Sequence, residues 1–304
     1  MSSDLAAALG KPPASKDLRR ALNVDVYSTL ESVPPSSSSS VQSVAAFLVA
    51  KQTSHLGGDF LQRPICVTSI GSAPNTSLWT PFLNAYFDVS SFHASAISAF
   101  AAPRVRMLQC AVPGLVALNV QQVVDAASRH CPPSSSTMLV LTCEALSATS
   151  TPVVVNGKLV LIVSVVQPTS SPQPAVQALL HALGVLPCNF FTCVMNANTG
   201  FDITCDIPTF VLCPLCLRKC SLAVPQFNIV RRYESLLVVL EGGGVAEGGS
   251  WAMSFHQWCD AHTTYITNNP RPQPLKKPMA AASMAVDVSK LKLLKRRLAT
   301  RTRR

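Results

Sequence analysis

The spacing of four cysteines late in the chain constrains its fold more than any other feature. Cys188 and Cys193 flank Asn-Phe-Phe-Thr, and Cys213 and Cys216 form a Cys-Pro-Leu-Cys knuckle. A short cysteine pair bends the backbone so that two thiolates converge. Two such pairs joined by a loop close a tetrahedral shell around zinc. The chain has eleven cysteines, six of them between Cys188 and Cys220. The N-terminus, MSSDLAAALGKPPASKDLRR, carries no long apolar stretch, so no secretory leader is expected. An odd cysteine total without a leader argues against a disulfide framework and for metal. Two alternatives remain open at this level: inert buried cysteines, which are common in cores, and an iron–sulfur arrangement on Cys213, Cys216 and Cys220. Cys66, Cys110, Cys131, Cys143 and Cys259 are scattered, and Cys205 and Cys220 are spare.

The rest of the composition narrows the class. The 304 residues are 48% hydrophobic and only 13% charged, enough for one substantial core or two small ones. No apolar run reaches the length of a membrane span. The net charge of +10 is unevenly placed. From Arg271 onward lie eleven of the 25 Lys/Arg but only one of the 15 acidic residues, Asp287, leaving fourteen of each in the body. A neutral body argues against a nucleic-acid-binding face on the core, so any such binding falls to the tail. In VSKLKLLKRRLATRTRR (Val288–Arg304), Leu291, Leu294 and Leu298 share one helical face among Lys and Arg. That pattern suits nucleic acid or another acidic partner, nuclear targeting, a membrane surface, or a plain solvated tail. The expected location is intracellular, cytoplasmic or nuclear. A mitochondrial presequence is the weaker alternative, because Asp4 and Asp17 interrupt it.

Residues 1–44, with VPPSSSSS at Val33–Ser40, are expected to lack fixed structure. A domain is expected over 45–245, followed by an irregular segment and the basic tail over 246–304. RPICVTSIG (Arg63–Gly71), SFHASAISAF (Ser91–Phe100) and TMLVLTC (Thr137–Cys143) read as strands. VVVNGKLVLIV (Val153–Val163) reads as a hairpin, since Asn-Gly between β-branched runs favours a tight turn. LWTPFLNAYF (Leu78–Phe87), ALNVQQVVDAASRH (Ala117–His130), QPAVQALLHALGV (Gln173–Val185) and FNIVRRYESLLVVL (Phe227–Leu240) read as helices. The third has Pro174 near its start and Gly184 near its end. Strands early and helices late predict an α+β class.

The third helix carries the remaining chemistry. Two histidines four apart on one helix face chelate a metal, and a glutamate after the first serves as general base. His181 stands in the second place, with Gln177 four residues earlier, then Ala178; Pro187 directly precedes Cys188. Taken with Gly184, Cys188, Cys193, Met195, Cys213 and Cys216, the segment resembles the archaemetzincins. These are zinc metallopeptidases with the pattern HExxHxxGxxHC-x4-C-x-M-x17-CxxC. Seventeen residues separate Met195 from Cys213, in register with that pattern. LCPLCLRKCSLAVPQFNIVRRYESLL (Leu212–Leu237) and FLNAYF (Phe82–Phe87) are similar to further family segments, and the resemblance covers roughly Val67 to Leu240.

The resemblance implies a zincin-like (metzincin) domain with a mixed sheet and an active-site helix. It also implies one structural zinc on Cys188, Cys193, Cys213 and Cys216, and a methionine turn at Met195. The departures fall on the catalytic positions. Gln177 replaces the first zinc histidine, Ala178 the general base and Pro187 the third histidine, leaving His181 as a remnant. A neutral amide is a poor zinc ligand, alanine takes no proton and proline offers no side-chain donor. The general base alone is worth about 10²–10⁴-fold. The catalytic zinc is therefore expected to be absent and the peptidase reaction lost, with His181 read as a core or half-buried histidine. Three functions remain in play: an inactive pseudopeptidase that binds a peptide or protein, an active metallopeptidase with a rearranged ligand set such as His181 with Cys205, and a basic-tailed structural component of an assembly.

Overall fold

The computed structural model describes residues 7–23, 42–53, 58–70, 76–94, 108–109, 116–144, 146, 152–164, 172–188, 191, 193–195, 210–242 and 250–268. The strands are β1 (Ile65–Ile70), β2 (Phe92–Ala94), β3 (Leu108–Gln109), β4 (Val116–Ala117), β5 (Thr137–Thr142), β6 (Val153–Val155) and β7 (Lys158–Ser164). The helices are α1 (Lys16–Ala21), α2 (Val44–Thr53), α3 (Thr76–Phe87), α4 (Val120–His130), α5 (Gln173–Ala182), α6 (Pro214–Ala223), α7 (Ile229–Glu241) and α8 (Ser250–Asn268). Five strands form a mixed sheet in the order β2–β1–β5–β7–β6, and β3 pairs separately with β4. Within the sheet β2, β1, β5 and β7 are parallel, and β6 runs antiparallel along the edge.

Side-chain alternation along the strands divides the core. Ile65 and Val67, Leu139 and Leu141, and Leu159, Leu161 and Val163 face the larger cluster, which takes in α2, α3 and α5 to α8. Cys66, Met138, Val140, Val160 and Ile162 face the other way, under Val123, Val124 and Ala127 of α4. A period of two on a sheet covered on both faces explains why β5 is buried at every position. The architecture is mixed α/β. The expected order of strands first and helices later holds only from α5 onward. Earlier, α3 lies between β1 and β2, and α4 precedes β5. Such crossovers are what allow parallel pairing. The hairpin forms at the expected Asn-Gly pair, where Asn156 and Gly157 adopt φ of 51° and 74°, as the tight primed turn requires.

Two segments expected to be irregular contain helices. Ser15 caps α1 through a bond from the Leu18 amide (3.2 Å), and Leu18 and Ala21 are buried. Arg20 donates to the Ile266 carbonyl (2.7 Å) and Asn23 to the Tyr265 hydroxyl (3.0 Å), fixing α1 against α8. The 19-residue α8 lies inside the expected irregular span 246–304 and buries Phe255, Cys259 and Ile266 completely. Among the described residues no helix is long and apolar enough to cross a membrane. Residues 33–40, Cys205 and the basic stretch 288–304 lie outside the described residues.

Candidate metal centre

The centre is assembled by helix ends. α5 turns Ala175, Val176, Leu179, Leu180 and Ala182 into the core and has proline in its first turn. It ends where Gly184 takes φ +85°. The Gly184 amide donates to the His181 carbonyl and the Val185 amide to the Leu180 carbonyl, closing the helix with its chain redirected. That redirected strand reaches Cys188 within four residues of Gly184. The Cys188 amide donates to the Met195 carbonyl (2.7 Å) and the Val194 amide to the Val211 carbonyl (2.9 Å). Three separate pieces of chain are thereby set side by side. Tyr86 of α3 donates its hydroxyl to the Phe210 carbonyl (2.8 Å), anchoring the segment that leads into Cys213. Cys213 is the N-cap of α6, Pro214 begins it, and Cys216 lies in its first turn.

Cys188, Cys193, Cys213 and Cys216 are all buried, and their sulfurs lie within 4.8 Å of one another. The Cys188 and Cys213 Sγ atoms are 3.5 Å apart, and those of Cys193 and Cys216 4.0 Å. These are non-bonded distances, not disulfides. Ligands about 2.3 Å from a tetrahedral zinc stand about 3.8 Å apart, so the set needs only a slight contraction to close on an ion. Burial pushes the Cys213 thiol well above its ordinary pKa, and hydrogen bonding to Cys188 and Cys193 does the same for Cys216. Four adjacent thiolates without a cation are unfavourable; a metal reverses that balance, because the thiolate is the ligand. The four residues can hold a metal ion.

A buried cation beside the thiols fits the same conclusion. Lys219 is 2% exposed, and its Nζ donates to Gln42 Oε1 (3.0 Å). Burial lowers its pKa, and the cysteines Cys216, Cys188, Cys213 and Cys193 oppose that shift. Gln42 is itself buried. It donates to the Gly184 carbonyl (3.0 Å) and accepts from the Leu186 amide (3.1 Å). Neither residue was singled out from the sequence. The signal for Lys219 was a lone lysine between Cys216 and Cys220 in an apolar helix. Gln42 sits in a Ser-rich stretch and gave none.

Gln177, Ala178, His181 and Pro187 lie along α5 and the turn after it. Gln177 donates Nε2 to the Val194 carbonyl (2.5 Å), so its amide ties α5 to the loop carrying Met195. Ala178 is half-buried against the core, Pro187 is exposed, and Met195 is 2% exposed. His181 is exposed, not core or half-buried as expected, because it falls at the helix end where the buried stripe has turned away. Desolvation by the surrounding protein lowers its pKa from the ordinary histidine value, and a hydrogen bond with the Val185 backbone opposes the shift. His181 joins no group of metal-ligating side chains among the described residues. Cys220 is not a member of the sulfur cluster. Burial raises its thiol to about 12. No family model, curated protein or solved structure matches this chain.

Proposed function

We propose that this chain is a catalytically silent relative of the archaemetzincins, which keeps a structural zinc on Cys188, Cys193, Cys213 and Cys216 and acts by binding a peptide or protein. The observation that carries the reading is the meeting of four buried thiols from two pairs 25 and 23 residues apart, at the spacings of the family pattern. Zinc closed by four thiolates supplies folding energy and leaves no position for water. A reduced set of thiols calls for an intracellular compartment.

The positions that would run hydrolysis support silence. Gln177 spends its amide on the Val194 carbonyl, Ala178 has no proton acceptor, and exposed Pro187 has no donor atom. For binding, the supporting feature is β6. It is the last strand in the sheet order, it pairs with β7 alone among the described residues, and Val154 is 52% exposed. An extended peptide can add to such an edge by main-chain hydrogen bonds, with side-chain contacts supplying selectivity.

The test combines metal stoichiometry with turnover. Native mass spectrometry should find one zinc per chain, and peptide-library cleavage should not exceed that of a His181→Ala preparation. Two metals per chain, with cleavage that a chelator abolishes, zinc restores and His181→Ala removes, would overturn the proposal in favour of a rearranged active site.

A further inference from the structure

Lys219 poses a problem that the side chains of the described residues do not solve. Its residue is 2% exposed, yet among the described residues its ammonium has one hydrogen-bond acceptor, the neutral Gln42 Oε1. The ion pairs among the described residues are Arg231 with Asp88 and His256 with Glu241, and neither involves it. An ammonium offers three donors, and a buried charge without an opposite charge is costly. The sequence places Lys219 three residues after Cys216 on α6, the spacing that puts two side chains on one helix face. Its hydrogen-bond partner Gln42 holds Gly184 and Leu186, the turn that leads into Cys188. Through Gln42, Lys219 on α6 is therefore linked to the turn that leads into Cys188. Four thiolates around a divalent cation carry two net negative charges, which is the charge this ammonium lacks.

We propose that Lys219 is the buried counter-charge of the four-thiolate centre, and that Gln42 couples occupancy of that centre to the seating of α2. It rests on the metal-centre reading above. The second part follows from where α2 is fastened. Gln42 precedes its first turn, and Lys51 near its end donates to the Leu222 carbonyl of α6 (2.8 Å). Phe47 between them is fully buried, with its ring 3.8 Å from where a Cβ on Gly184 would stand. The helix thus lies across the two elements that carry Cys188, Cys213 and Cys216. When metal leaves, the charged centre that Lys219 faces is gone, and the network through Gln42 loses its reason to stay closed.

The probes are Zn(II) and Co(II) alone, titrated into the full chain against a chromophoric chelator. Lys219→Met, close in length but uncharged, should weaken binding about 10–100-fold, the usual effect of removing an outer-shell partner. The thiolate-to-cobalt absorption of a tetrahedral four-sulfur site should remain, because the ligands are untouched. Lys219→Arg should keep affinity within several-fold. Gln42→Glu, which gives the ammonium a rival carboxylate, should weaken binding in the same direction as Lys219→Met, and it serves if that variant does not fold. A merely structural lysine would be stabilised by that carboxylate with metal affinity unchanged. In the unmodified protein, metal removal should raise hydrogen exchange at the amides of Leu186 and Phe47. Tight four-sulfur binding in the wild type with equal affinity in Lys219→Met and Gln42→Glu overturns the role of Lys219 and leaves the metal centre standing. A wild type that binds neither ion overturns both.

Discussion

Replacing Cys213 with serine should destabilise the protein more than stripping its metal. Cys213 is fully buried, caps α6 and has its sulfur 3.5 Å from that of Cys188. At free zinc about a thousandfold above Kd, binding contributes roughly 4 kcal/mol to folding. Serine leaves three thiolates and adds a buried hydroxyl whose lost partners cost about 1–3 kcal/mol more. A folded unit of this size shifts by about 2–4 °C per kcal/mol, so the melting temperature should fall by about 10–28 °C. His181 is exposed, so His181→Ala should stay within about 0.5 kcal/mol, or roughly 2 °C. Thermal melts followed by circular dichroism, with and without a strong chelator, provide the assay. The chelator should lower the wild type and His181→Ala alike and leave Cys213→Ser almost unmoved, because the ligand set is already broken. Small, equal shifts in Cys213→Ser and His181→Ala, or a wild type indifferent to the chelator, would refute the reasoning.

His262 gives a pH prediction. Burial holds its pKa down at about 3, against about 6.5 unfolded. The unfolded state then binds more protons between those values, so stability is full above pH 6.5 and falls as pH drops toward 3. The loss at pH 5 is about 2 kcal/mol. Denaturant unfolding at pH 8 and pH 5 should show that difference between the wild type and a non-titrating His262→Phe; parallel pH dependence in the two excludes it. Asp88, at φ +56°, accepts from the Asn228 amide and from Arg231 Nε and Nη2, joining α3 to the start of α7. Its side chain is 3% exposed and that of Arg231 55%. Asp88→Ala should therefore cost about 2–3 kcal/mol and Arg231→Ala under about 1, in chemical denaturation, and equal costs would contradict the asymmetry. Gln177→Ala should cost about 1 kcal/mol through the lost bond to Val194. Gln177→His alone should yield no hydrolysis, since metal and base act as one unit.

The elements read most directly from the sequence are those where one local rule has one solution. Asn156-Gly157 can make the tight turn that positive φ demands, and Gly184 can take φ +85° at the end of α5 without a Cβ penalty. The all-apolar TMLVLT became a strand buried on both faces. The four cysteines were legible because two short pairs joined by a loop can bring four thiols together, and the fold does so. What was missed depends on distant contacts. α1 is six residues long, too short to persist alone, and stands because Arg20 and Asn23 bond to residues more than 240 positions away. In α8, Phe255, Cys259, His262 and Ile266 recur at helical spacing, a signal outweighed by the Gly-rich stretch before them. The exposure of His181 depends on where α5 stops. The partnership of Lys219 with Gln42 joins residues 177 positions apart, and no periodicity announces such a pair.

On the proposed reading, the placement of Gln177 gives the helix a tether that needs no catalytic metal. On the family reading, the first zinc histidine would stand at 177 and the methionine turn would pass beneath the metal. Here the Gln177 amide reaches the Val194 carbonyl, next to Met195, whose own carbonyl accepts from the Cys188 amide. The helix is thus tied to that turn without an ion between them, and the turn is tied to the first cysteine of the sulfur cluster. A catalytic zinc must keep one position open for water, so its protein ligands hold it incompletely and add little rigidity beyond their own bonds. A four-thiolate zinc is closed and spends its whole ligand set on joining chain to chain. On that reading, folding depends on Cys188, Cys193, Cys213 and Cys216 and not on side-chain ligands at positions 177, 178 and 187. The Gln177 hydrogen bond to the Val194 carbonyl would then stand in for part of the tether that a metal supplies.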